Sequence, residues 1–269
     1  MPDEAFSRAG TVLRCVAAGS GEPVLFQHGL GGDAAQVAEV FPDAAGWRRL
    51  TLECRAHGGS DAGPPDALSI ATFADDVVAL ADMHGVERFV VGGISMGAAI
   101  ALRIAALHPA RVRGLILVRP AWLFQPAPDN MHPFVEVAGL LASLPADAAK
   151  HRFADGETAR QLRQTAPDNL ASLLGFFDRP NPATTAALLL RTARDGPGIT
   201  EAAAAELHVP ALVIGHGIDH VHPFAYAQRL AGVLPNATLV TVTPKATDRT
   251  AHAADVRSAI SAFQHRMSR

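Results

Sequence analysis

The 269-residue chain reads as an α/β protein: a mostly parallel central sheet with helices on both faces, interrupted by an inserted helical cap. Three observations predict this. Short apolar runs alternate with segments of helical spacing through the first half of the chain. The alternation stops near residue 121 and resumes near residue 207. Two of the apolar runs end in glycine-rich turns that open directly into helical segments. Strand–helix alternation implies parallel strands covered on both faces. The core is therefore assigned to residues 1–120 and 207–269, and the cap, or lid, to residues 121–206.

Strand candidates in order are residues 11–17, 24–27, 50–52, 89–91 and 115–118, each a short apolar or β-branched run. Between them, residues 34–41 and 72–83 carry helical spacing, with Phe73, Val77 and Leu80 on one face. Residues 96–108 do the same more apolarly, as a helix packed on a sheet would. From Ala121 the strand signals vanish. The chain passes Pro126, Pro128, Pro133 and Pro145 into alanine- and leucine-rich segments, with helices expected at 158–164, 169–177 and 182–194. Alternation resumes with a strand at 209–214, a helix at 224–233, a strand at 238–243 and a last helix over 251–265.

A composition of 49% hydrophobic and 18% charged residues belongs to a chain that buries a large core. The net charge of −3, without clusters of Lys or Arg among aromatics, argues against nucleic acid or anionic membrane as partners. No apolar run approaches the ~18 residues of a membrane span. The acidic start, Met1-Pro2-Asp3-Glu4-Ala5-Phe6, lacks the pattern of a secretory signal, and a cytoplasmic protein is expected. Cys15 and Cys54 have no metal-ligand spacing and are expected as buried thiols.

The chemistry centres on Gly93-Ile94-Ser95-Met96-Gly97, between an apolar run and a helix. A strand turning sharply into a helix strains its corner residue, and flanking glycines let the turn close. The corner lifts the Ser95 hydroxyl above the strand ends, where the following N–H and the helix N-terminus face developing negative charge. Ser95 is thus a candidate nucleophile for acyl transfer. A second turn, His28-Gly29-Leu30-Gly31-Gly32-Asp33, offers backbone donors, and the N–H groups of Leu30 and Met96 are the candidate oxyanion hole.

With Arg55-Ala56-His57-Gly58-Gly59-Ser60-Asp61 and the helix end His108-Pro109-Ala110-Arg111-Val112, these segments closely resemble the α/β-hydrolase family. Their order and spacing match the branch that holds small-molecule esterases, enol-lactonases and carbon–carbon bond hydrolases. The resemblance implies that His57 holds its loop rather than acting in catalysis. It also places the catalytic acid after a later strand, where Asp219 fits. His216, His220 and His222 crowd that loop, but their spacing matches no zinc signature, and neither metal nor cofactor is expected.

The family's base belongs in the loop after the last strand, and here that loop reads Pro244-Lys245-Ala246-Thr247-Asp248-Arg249-Thr250, without histidine. His252, at the start of the last helix, is the first candidate; His222, beside the acid, or another histidine is the second; the third alternative is no base at all. The expected function is hydrolysis of a small ester, lactone or related acyl substrate through Ser95, Asp219 and His252. The alternatives are a ligand-binding protein with impaired chemistry, or a lyase or isomerase using the same pocket.

Overall fold

The computed structural model describes residues 3–43 and 45–268. Among these, an eight-stranded sheet runs in the order β1-β2-β4-β3-β5-β6-β7-β8. The strands are β1 (Asp3–Arg8), β2 (Thr11–Gly19), β3 (Gly21–Gln27), β4 (Gly46–Leu52), β5 (Phe89–Ile94), β6 (Val112–Val118), β7 (Ala211–Gly215) and β8 (Ala237–Thr241). β1 and β2 pair antiparallel, β2 joins β4 antiparallel, and every pairing from β4 through β8 is parallel.

The strands are almost wholly apolar because both faces are covered. Leu25, Val91, Leu115, Leu117 and Val213 join one buried cluster, with α2 (Ile70–Met83) and α3 (Met96–Leu107). Their chain neighbours Val24, Phe26, Val90, Ile116 and Ile214 join the other, with α1 (Ala34–Val40) and α11 (Arg249–Met267). Successive side chains point to opposite faces of a strand, so a run apolar at every position becomes a sheet with two cores. Cys15 and Cys54 are buried free thiols, and burial pushes the Cys15 thiol up to about 12.

Between β6 and β7 the regular elements are helices: α4 (His132–Ser143), α5 (Ala146–Ala154), α6 (Glu157–Thr165), α7 (Pro167–Gly175), α8 (Pro182–Ala193) and α9 (Glu201–Ala205). Phe134, Val137, Leu141, Phe153, Leu173 and Leu189 from these helices are continuous with the α2–α3 core. The helix α10 (Phe224–Val233) follows β7. No described helix is long and apolar enough to cross a membrane.

Four elements have no counterpart in the sequence reading. The strand β1 is polar around one buried residue, Phe6, and is held by backbone pairing to β2. Its charges suit a sheet edge, where they discourage pairing with other chains. The helix α4 buries Phe134, Val137, Ala138 and Leu141, a helical spacing present in the chain but obscured by the surrounding prolines. The short α5 buries only Ala149 and Phe153, and α9 only Ala204, too few positions to show a helical period.

Candidate active site

The corner after β5 is built as its glycines require. Ser95 stands at φ 56°, ψ −108°, a left-handed conformation that costs a non-glycine residue roughly 1–3 kcal/mol and is held by surrounding structure. Its N–H donates to the carbonyl of Val118 on β6 (2.9 Å), and its own carbonyl accepts from Ala98 and Ala99 in the first turn of α3. A Cβ on Gly97 would lie 2.4 Å from the Gln27 carbonyl oxygen, and one on Gly93 would lie 2.5 Å from the Gly97 carbonyl carbon. No side chain fits between β3, β5 and α3 at these points.

The turn after β3 is fixed by its own histidine. The Cys54 N–H donates to His28 Nε2 (3.0 Å), which leaves Nδ1 to donate to the Gly29 carbonyl (2.8 Å). The Gly29 N–H donates to Gln36 Oε1. Gly31 adopts φ +80° with the Phe176 ring against it, a place with no room for a side chain. The N–H groups of Leu30 and Met96 donate to no other group among the described residues.

The Arg55–Asp61 loop is structural in its contacts. Arg55 grips Asp76 of α2 through Nε (2.7 Å) and Nη2 (3.1 Å), and both side chains are buried. His57 Nδ1 donates to the Arg55 carbonyl (2.9 Å). Burial, reinforced by neighbouring His28, holds the His57 ring neutral, well below its ordinary range.

Asp219 is the most heavily engaged carboxylate near the serine. Its Oδ1 accepts from the His222 N–H (3.1 Å) and lies 2.9 Å from His222 Nδ1. Its Oδ2 accepts from Arg119 Nε (2.8 Å) and Nη2 (2.5 Å). Burial alone would raise its pKa; the His222 and Arg119 contacts outweigh that and hold the carboxyl ionised, far below the usual range. Arg119 follows β6 in a left-handed conformation (φ 49°), and its Nη2 also reaches Asp168 Oδ2 (3.3 Å). The loop is pinned from α7, where Asn169 Oδ1 accepts the N–H groups of His220 and Val221, both at 2.9 Å.

With Nδ1 donating to the carboxylate, His222 keeps its lone pair on Nε2, and that buried nitrogen has no partner among the described residues. Burial lowers the pKa of the ring, so it is neutral at pH 7. His222 lines the same cavity as Ser95, a space of about 310 Å³ walled also by Leu30, Arg119, Phe134 and Phe176. The Ser95 hydroxyl hydrogen-bonds no described residue.

His252 does not make the expected contact with Asp219. Asp248 caps α11 by accepting the Ala251 N–H, so His252 sits in the rigid first turn. Its Nδ1 is 2.9 Å from the Thr243 carbonyl, and its ring stands edge-on to His216 at 5.3 Å. His252 is absent from the cavity wall that holds Ser95. His216 Nε2 lies 3.5 Å from Asp219 Oδ2, and burial together with the Arg119 charge lowers its pKa to about 4.

Arg119, Arg179 and Lys245 also line this cavity and were not singled out in the sequence. The available signal for Arg119 was an arginine directly ending an apolar strand; Arg179 and Lys245 stand in loops with no distinguishing pattern.

Comparison with known proteins identifies the family and the fold. Residues 22–246 match the model of the α/β-hydrolase fold family. A protein of Pseudomonas savastanoi pv. phaseolicola named as the carbamate hydrolase RutD is 31% identical over 227 residues, covering 81% of this chain and 83% of that one. Solved structures that share the fold include a thermophilic esterase from Thermogutta terrifontis (TM-score 0.74, 21% identity, 98% of this chain and 97% of that one). An enol-lactonase from Burkholderia xenovorans superposes with TM-score 0.69 at 23% identity, covering 98% of each chain. Serine corner, glycine-rich turn, sheet order and family match converge: the chain belongs to the α/β-hydrolase family.

Proposed function

We propose that the protein hydrolyses a small ester, lactone or related acyl compound through an acyl-enzyme, with Ser95 as nucleophile, His222 as base and Asp219 as the acid that orients it. The observation that carries this reading is the Asp219–His222 pair: a neutral imidazole, fixed through Nδ1, with a buried Nε2 that no described residue engages, on a residue that lines the cavity together with Ser95. His222 replaces His252 in the assignment for that reason. The helices between β6 and β7 act as the lid, since Phe134 and Phe176 close the cavity above the serine.

Ser95 Oγ attacks the acyl carbon as its proton passes to His222 Nε2. Asp219 stabilises the imidazolium, and the N–H groups of Leu30 and Met96 receive the developing oxyanion. The imidazolium returns the proton to the leaving alcohol as the carbon–oxygen bond breaks. Water then repeats the sequence on the acyl-enzyme: its proton goes to His222, its oxygen to the acyl carbon, and Ser95 leaves with the proton. Binding of substrate brings Ser95 and His222 into hydrogen-bond reach, as catalytic contacts often tighten only in the complex.

A fluorophosphonate probe should label Ser95 in the wild type and nothing in Ser95→Ala. Absence of labelling across a broad probe panel, in folded protein, overturns the reading.

A further inference from the structure

The cavity beside Ser95 is lined by three cationic side chains, Arg119, Arg179 and Lys245, and by no Asp or Glu. Arg119 is already neutralised by Asp219 and Asp168. The other two are not. Arg179 donates only to neutral groups, the Ala56 carbonyl (2.8 Å) and the Gly31 carbonyl (3.5 Å), with its guanidinium over the Phe176 ring. Lys245 makes no hydrogen bond or ion pair with any described residue. It stands in the loop after β8 where the family resemblance calls for a histidine.

Two half-buried cations without a direct ion pair among the described residues are costly to keep. Burial lowers the pKa of each, and the carboxylates in range without pairing, Asp33 for Arg179 and Asp168 and Glu39 for Lys245, offset that only in part. A ligand that brings a negative charge recovers that cost, and Arg179 offers the planar fork that suits a carboxylate. Arg179 is tied to the carbonyl of Gly31, next in the chain to Leu30, whose N–H faces the acyl oxygen in the reading above. The charge therefore belongs on the acyl side of the substrate. The cavity, at about 310 Å³, is at the small end for ligand sites and suits a short acyl chain.

We infer that the substrate is an acyl compound bearing a free carboxylate on its acyl portion, and that Lys245 and Arg179 bind that carboxylate. The inference rests on the hydrolase reading for the position of the acyl group, but not for the existence of the anion site.

The test compares the 4-nitrophenyl ester of glutaric acid, which keeps one free carboxylate, with the 4-nitrophenyl ester of valeric acid, which has none. The wild type should favour the first in kcat/KM by roughly 10- to 100-fold, the worth of a charge-assisted hydrogen bond. Lys245→Met and Arg179→Met should each bring that ratio close to one. A wild-type preference for the valerate ester, or a ratio that neither variant moves, overturns the inference. Calorimetry with glutarate separates the two readings. Glutarate binding that both variants lose supports the anion site even if neither ester turns over, an outcome that would fell the hydrolase reading alone. No glutarate binding to the wild type overturns the anion site whatever the esterase result.

Discussion

His222 Nδ1 lies 2.9 Å from Oδ1 of Asp219, three residues earlier in the same loop, and the backbone N–H of His222 donates to that same oxygen. One turn thus orients an imidazole against a carboxylate without help from the loop after β8. The α7 residue Asn169 holds the turn by accepting its next two N–H groups.

This arrangement predicts unequal roles for two buried histidines. His222→Gln should lower kcat by about 10²–10⁴-fold, the usual worth of a positioned general base, with the fold intact by circular dichroism. His252→Gln should cost stability and leave most turnover. The reverse ranking in steady-state kinetics would return the base to His252.

The rate should rise with pH through an apparent pKa below 6.5, because burial holds the His222 pKa below that value and only the neutral ring accepts the serine proton. A kcat/KM profile on a neutral ester measures it; an acid limb centred above 6.5 would contradict the assignment.

Stability should fall on the same side. His28, His57, His216, His222 and His252 are all held below the ordinary 6.5 by burial, His216 to about 4. As pH drops below 6.5 the unfolded chain takes up protons on these rings before the folded one does, and the unfolded state gains. Urea midpoints between pH 7 and pH 4 should therefore decline, and a flat profile would show that these rings are not buried neutral.

Arg119→Met leaves the buried Asp219 carboxylate with only the neutral rings of His222 and, at 3.5 Å, His216. The expected loss is about 3–5 kcal/mol, as for breaking a buried ion pair from one side. Asn169→Leu leaves the N–H groups of His220 and Val221 without an acceptor, should cost a comparable amount, on the order of 1–3 kcal/mol for each, and should loosen the Asp219–His222 turn. Chemical denaturation of both variants checks these losses.

Gly97→Ala should fail to yield folded protein, because the added Cβ would lie 2.4 Å from the Gln27 carbonyl oxygen, which β3 cannot move. Soluble, cooperative Gly97→Ala protein would show that the corner at Ser95 is looser than its contacts imply.

The amino-acid sequence by itself determined the parallel sheet and the serine corner. Those features are local: apolar runs such as Phe89-Val90-Val91 form strands wherever both faces are covered, and Gly93 and Gly97 permit only a tight turn around Ser95. Asp219 was marked only by the family resemblance, which implies an acid after this strand, and not by a local pattern of its own. The partner of Asp219 was not legible. His222 and His252 are both histidines near helix starts, and chain distance does not tell which ring reaches the carboxylate. Tertiary structure decided it, because the Asp248 cap and the Thr243 carbonyl hold His252 away while the turn at Asp219 folds His222 back on itself. The charge of the cavity was likewise hidden. Arg119, Arg179 and Lys245 come from separate loops, and only packing shows that Arg119 alone meets a carboxylate.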